Sequence, residues 1–115
     1  MSARPLALVV EDDLDQLALL RRYLDREGFD VFAAVDAESA ISAFSEIAPT
    51  VAVLDLLLPG ISGHECARLV REAFPECFLV ISSVLDAAAY PAADAALPKP
   101  VVGASLHDLL DSIVR

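Results

Sequence analysis

Val51-Ala52-Val53-Leu54-Asp55-Leu56-Leu57-Leu58-Pro59-Gly60 is the stretch from which the rest of the chain can be read. An apolar run of strand length leads straight into a lone acid, three leucines follow, and Pro59-Gly60 supplies a turn signal. A strand with one wet face would carry a polar residue at every second position. This one is apolar at both, as expected of a strand covered on both sides. The form recurs upstream, where Leu6–Val10 runs into Glu11-Asp12-Asp13, and downstream, where Phe78–Ile81 runs into Ser82-Ser83. Residues 95–97 make a shorter run before Pro98-Lys99-Pro100, and residues 29–34 make a weaker one.

Between these runs the apolar residues recur at helical spacing. Leu14, Leu17, Leu20 and Leu24 form one stripe, with Gly28 where a helix C-cap belongs. Asp36 can cap a helix whose apolar face is Ala40, Ile41, Phe44 and Ile47, stopped by Pro49. Beyond Gly63 a third helix carries Cys66, Leu69, Val70 and Ala73 as far as Phe74-Pro75. Leu106, Leu109, Leu110 and Ile113 mark a terminal helix. Doubly buried strands alternating with amphipathic helices predict an α/β fold, a doubly wound five-stranded parallel sheet with right-handed crossovers. At 115 residues, without repeat or linker, residues 1–115 read as a single domain.

Composition removes several function classes. Eighteen acids against eight bases give a net charge of −10, which repels a phosphate backbone and argues against a nucleic-acid partner. No apolar run approaches the ~20 residues that span a bilayer, and no secretory leader opens the chain, so no membrane partner is expected. Cys66 and Cys77 fit no metal-ligand spacing. The expectation is a soluble, cytoplasmic protein.

In open α/β sheets ligands bind beyond the carboxyl ends of the strands. The residues delivered there are Glu11, Asp12 and Asp13 from the first strand, Asp55 from the third, Ser82 and Ser83 from the fourth, and Lys99 from the fifth. Clustered carboxylates repel one another unless a cation joins them, and an oxygen-rich set suits a hard ion such as Mg²⁺. A lysine and a hydroxyl beside that ion would cradle phosphoryl oxygens. Asp55 itself can serve as a nucleophile, since carboxylates form aspartyl phosphates. Asp13 reads more simply as a helix cap, and His64 and His107 as solvated or capping residues. Serines at strand ends are ordinary turn chemistry taken singly, and a lone loop lysine can be merely solvated. Asp55 is different, because acids set among apolar residues on both sides are rarely buried without a function or a partner.

Val9-Val10-Glu11-Asp12, Leu54-Asp55 with Pro59-Gly60 and Gly63, the fourth-strand serine and Lys99-Pro100, in this order, resemble the response-regulator receiver domain of two-component signalling. The resemblance covers residues 6–114 and implies a flavodoxin-like (βα)5 fold. It makes Asp55 the phosphoacceptor, charged by a histidine kinase or phosphotransfer protein. Asp12 and Asp55 would ligate Mg²⁺, Glu11 would reach the ion through water, and the Leu57 carbonyl would add a ligand. Lys99 would pair with the phosphoryl oxygens, and its bond to Pro100 is usually cis in the family. The serine would hydrogen-bond the phosphorylated aspartate.

Three departures qualify the resemblance. Gapless comparison from Phe74-Pro75 puts Ser83 in the serine position, followed by Val84, and is the preferred reading; one deletion would use Ser82 instead. Residues 83–99 are fewer than the family norm, so its fourth helix is predicted to be shortened or missing. Ala96 stands where the family commonly keeps an aromatic switch residue, and Tyr90 has no evident place.

The function expected is phosphorylation-controlled contact with an unidentified downstream protein, by a stand-alone regulator or a receiver cut from a longer protein. Met1 favours the first. The domain would not be an enzyme beyond its own phosphorylation and dephosphorylation, and Leu57 with Val84 or Leu85 would slow loss of the phosphoryl group. The alternative is a degenerate receiver serving only interaction or dimerisation. An aspartyl-phosphate phosphatase is disfavoured because Leu57 stands where a second acid is needed, and no Gly-rich nucleotide loop is present.

Overall fold

The apolar runs become strands because a sheet covered by helices on both sides lets both of their faces leave water. The computed structural model describes residues 4–86, 88 and 90–113. Strands β1 (Leu6–Val10), β2 (Asp30–Ala34), β3 (Val51–Leu54), β4 (Phe78–Ile81) and β5 (Ala95–Ala96) form one parallel sheet in the order β2-β1-β3-β4-β5. Every residue of β3 is buried, as are four of five in β1. Alternate side chains feed two cores. Leu8, Val10, Ala52, Leu54, Leu79 and Ile81 pack towards helices α2 (Ala37–Ser42) and α3 (Gly63–Ala73). Ala7, Val9, Val51, Val53 and Val80 pack towards α1 (Leu14–Arg26) and α4 (Gly103–Ile113).

Local chemistry fixes the helix ends. Asp13 caps α1 by accepting from the N–H groups of Asp15 and Gln16 at 2.9 and 3.2 Å, the role its sequence position predicts. Asp36 caps α2 and Ser62 caps α3 in the same way. Gly28, with φ +92°, closes α1: the Phe29 N–H reaches the Leu24 carbonyl and the Gly28 N–H that of Asp25.

The structure corrects the sequence reading in several places. Leu14 is 68% exposed, because it is the first residue of α1 and stands off the sheet. Ala73, at the last turn of α3, is exposed as well. The second helix ends at Ser42, and a 3-10 turn over Phe44–Glu46 carries Phe44 back to meet Phe74 edge to face. Ile113 ends α4, but its side chain lies outside what is described, as does residue 114 at the far end of the resemblance. Among the described residues no α-helix lies between β4 and β5, as the shortened segment predicts.

That connection is held by side chains instead. Asp94 Oδ2 accepts from Arg71 Nη2 and from the Leu79 N–H, both at 2.8 Å, while the Asp94 N–H returns to the Leu79 carbonyl. His107 Nδ1 lies 2.8 Å from Glu27 Oε1, joining α4 to the end of α1.

Candidate functional site

One step of the sheet ladder repeats just past three strands: Glu11 N–H to the Ala34 carbonyl, Asp55 N–H to that of Val10, and Ser82 N–H to that of Leu54. Val10 pairs with Leu54, and Leu54 with Ile81, so the next residues Glu11, Asp55 and Ser82 stand in one row. In a parallel sheet such neighbours share a face. The row therefore sets two acids and a hydroxyl side by side, and all three are buried.

Lys99 closes the site from beyond β5. Its Nζ lies 3.0 Å from Asp55 Oδ2 and also hydrogen-bonds Glu11 Oε1, with 9% of its side chain exposed. Its N–H donates to the Ser83 carbonyl, and its bond to Pro100 is cis. Asp55 Oδ1 accepts the Leu57 N–H at 3.2 Å, and Glu11 Oε2 accepts the Asp13 N–H at 3.2 Å. Gly63 allows this arrangement. A methyl group there would sit 2.2 Å from the Asp55 carbonyl oxygen and 2.4 Å from Leu56 Cα, so α3 can begin under the loop only as glycine.

The charges settle unequally on the two buried carboxylates. Burial pushes Asp55 up, but the hydrogen bond from Lys99, the Leu57 N–H and the lysine's charge outweigh it and hold the carboxyl below its ordinary range. At Glu11 burial prevails over Lys99, helped by the facing charge of Asp55, and the carboxyl is raised. Burial alone would lower Lys99; two acidic partners raise it instead. The result is an ionised Asp55 and a charged lysine in contact.

Glu11, Asp12 and Asp55 also present oxygens within 4.8 Å of one another. Asp12 is exposed and the other two are buried, so the cluster opens to solvent on one side. Three carboxylates with only one lysine among them leave excess negative charge, and a hard divalent cation fits such an all-oxygen set. Leu57, half exposed two residues past Asp55, stands at the same edge.

The sheet register separates the two serines. Ser82 occupies the row beside Asp55, and its Oγ is buried without a hydrogen-bond partner among the described residues. Ser83, the position preferred by gapless comparison, faces the other way. Its Oγ accepts the Leu85 N–H at 3.4 Å, on the side of the α2/α3 core. Tyr90, to which sequence reasoning gave no place, packs there too. Its Oη donates to the Ser83 carbonyl at 2.8 Å and accepts the Ser83 N–H at 3.1 Å. The only signal for it was that an aromatic stood in a connection too short for a helix. His64, the second residue of α3, and His107 are not brought into the cluster.

The family model of the response regulator receiver domain matches residues 7–111. The transcriptional regulatory protein PrrA of Mycobacterium tuberculosis is 37% identical over 117 residues, covering 96% of this chain and 50% of PrrA. The chain thus spans about half the length of that relative. Among solved structures, the BeF3-activated receiver domain of DrrB from Thermotoga maritima superposes with a TM-score of 0.86 at 26% identity, covering 96% of this chain and 97% of that one. A CheY-like response regulator receiver domain from Methylobacillus flagellatus gives a TM-score of 0.85 at 27% identity, covering 96% and 99%. With the family model covering nearly the whole chain, and an acidic cluster at the strand ends to match, the chain belongs to the response regulator receiver domain family of two-component signalling.

Proposed function

We propose that this domain accepts a phosphoryl group on Asp55 from a histidine kinase or phosphotransfer protein in the cytoplasm, and that the phosphorylated form is read by a downstream protein. The observation that carries the reading is the contact of Lys99 Nζ with Asp55 Oδ2, inside a cluster that also offers Glu11 and Asp12. An acid held ionised against a lysine is a ready nucleophile, and the lysine is already where phosphoryl oxygens would arrive.

Asp12, Asp55 and the Leu57 carbonyl would hold Mg²⁺ directly, with Glu11 assisting through water. When bound, the ion supplies positive charge that offsets the repulsion between the carboxylates and the incoming phosphoryl group. The remaining work belongs to the side chains. An Asp55 carboxylate oxygen forms the new bond to phosphorus, and the bond from phosphorus to the donor's imidazole nitrogen breaks. The imidazole keeps that electron pair and takes a proton from water. Lys99 exchanges its carboxylate contact for the phosphoryl oxygens, and the unpartnered Ser82 hydroxyl donates to one of them. Ser82 is preferred to Ser83 here because it shares the row with Asp55. The chemistry is confined to the domain's own aspartate, so no separate substrate is turned over. Leu57 and Val84, 50% and 67% exposed, flank the strand ends and limit the approach of water to the acyl phosphate.

Intact mass after incubation with acetyl phosphate and Mg²⁺ tests this. One phosphoryl increment is expected, lost in Asp55→Asn and lost without Mg²⁺. A wild-type mass that stays unchanged while Mg²⁺ binds normally would overturn the reading.

A further inference from the structure

Tyr90 makes a contact that the receiver chemistry above does not use. A phenol is both donor and acceptor, and Tyr90 spends both capacities on one residue, bonding the N–H and the carbonyl of Ser83. Those groups lie on the β5 side of β4, where the Leu97 N–H reaches Ile81 and the Lys99 N–H reaches the Ser83 carbonyl. Strand β5 is only two residues long. Beyond it the phenol and the Lys99 N–H together continue the hydrogen bonding of the sheet edge, so a side chain shares the work of a strand. The ring is anchored in turn, packed against the core on the α2/α3 side.

Ser82 precedes the clamped residue, and its hydroxyl is the buried oxygen with no partner beside Asp55. Among the described residues no hydrogen bond fixes this side chain, so the main chain must. On one side that main chain is set by the Ser82 N–H bond to Leu54 at 2.8 Å, and on the other through Ser83, whose carbonyl is held by Tyr90 and the Lys99 N–H and whose N–H is held by Tyr90. We propose that Tyr90 is a positioning residue for phosphoryl acceptance, its phenol clamping Ser83 so that the Ser82 hydroxyl is presented to the phosphoryl group on Asp55. The proposal rests on the receiver reading. It assigns to the connection between β4 and β5 a task inside the site, which covering the sheet edge would not give it.

Tyr90→Phe keeps the ring and its packing and removes both hydrogen bonds. Ser83 is buried, so losing the phenol lowers stability, while the Lys99 N–H still holds its carbonyl and the fold survives; circular dichroism and a urea midpoint check that the variant is folded in the assay. The rate of phosphoryl gain from acetyl phosphate at saturating Mg²⁺ should fall roughly threefold to tenfold, the scale of one or two neutral hydrogen bonds. A double-mutant cycle with Ser82→Ala separates positioning from general support. If Tyr90 acts through Ser82, Tyr90→Phe has no further effect once that hydroxyl is gone. A Tyr90→Phe rate equal to wild type, or the same fold-loss in both backgrounds, overturns the proposal while leaving the receiver reading intact. A wild-type protein that gains no phosphoryl group overturns the receiver reading, and this proposal falls with it.

Discussion

Lys99 Nζ stands 3.0 Å from Asp55 Oδ2, bridging residues that are 44 positions apart in the chain. The contact exists because β3 and the turn after β5 deliver an acid and an amine to the same edge of the sheet. The same ammonium bonds Glu11, so one cation serves two buried carboxylates. Removing it leaves those carboxylates facing each other with no counter-charge.

Lys99→Met should therefore cost about 3 kcal/mol of stability, the scale of breaking a buried ion pair by deleting one partner. Mg²⁺ should restore more of that loss in the variant than it adds to wild type, because a divalent cation at Glu11, Asp12 and Asp55 replaces the missing charge. Urea midpoints with and without Mg²⁺ read both effects. A midpoint unchanged by the substitution would mean that the ion pair does not hold the site together.

Gly63→Ala should destabilise by about 2–3 kcal/mol, because the new methyl meets main-chain atoms of Asp55 and Leu56 that no rotamer change can move aside. Chemical denaturation measures it. A variant as stable as wild type would show that the start of α3 is not packed against the main chain of Asp55 and Leu56 as described.

Asp94 supplies a pH dependence away from the acidic cluster. Burial pushes its carboxyl up, but the Arg71 hydrogen bond, the Leu79 N–H and the arginine's charge outweigh burial and lower it. A group lowered on folding stabilises above its unfolded range, and that contribution is lost as pH falls through the folded value. The urea-midpoint gap between wild type and Asp94→Asn should thus be full near pH 7 and should shrink as pH drops below about 3.8. A gap that stays constant down to about pH 3 would contradict the assignment.

The sequence carries much of this arrangement in plain form, and the reasons differ by region. Leu6–Val10, Val51–Leu54 and Phe78–Ile81 are readable as strands because burial on both faces leaves no polar residue to blur them. The acids and Lys99 are readable because the parallel fold fixes where strand ends go. The choice between Ser82 and Ser83 is not, since a shift of one residue exchanges the two faces of the sheet and both neighbours are serine. Register settles their placement, and register is a tertiary property. Leu14 misleads because helical spacing continues one turn beyond the part of α1 that touches the sheet. Tyr90 and Asp94 escape because their partners, Ser83, Arg71 and Leu79, are set by the path of an aperiodic connection.

Acyl phosphates are reduced by borohydride, which converts a phosphorylated aspartate to homoserine and leaves a free aspartate untouched. Wild-type protein treated with acetyl phosphate and Mg²⁺, then reduced and digested, puts the central claim to the most direct test. The account predicts homoserine in place of aspartate at residue 55 and at no other acid. Modification at Asp12 or elsewhere with residue 55 intact, or an unmodified digest, would contradict it.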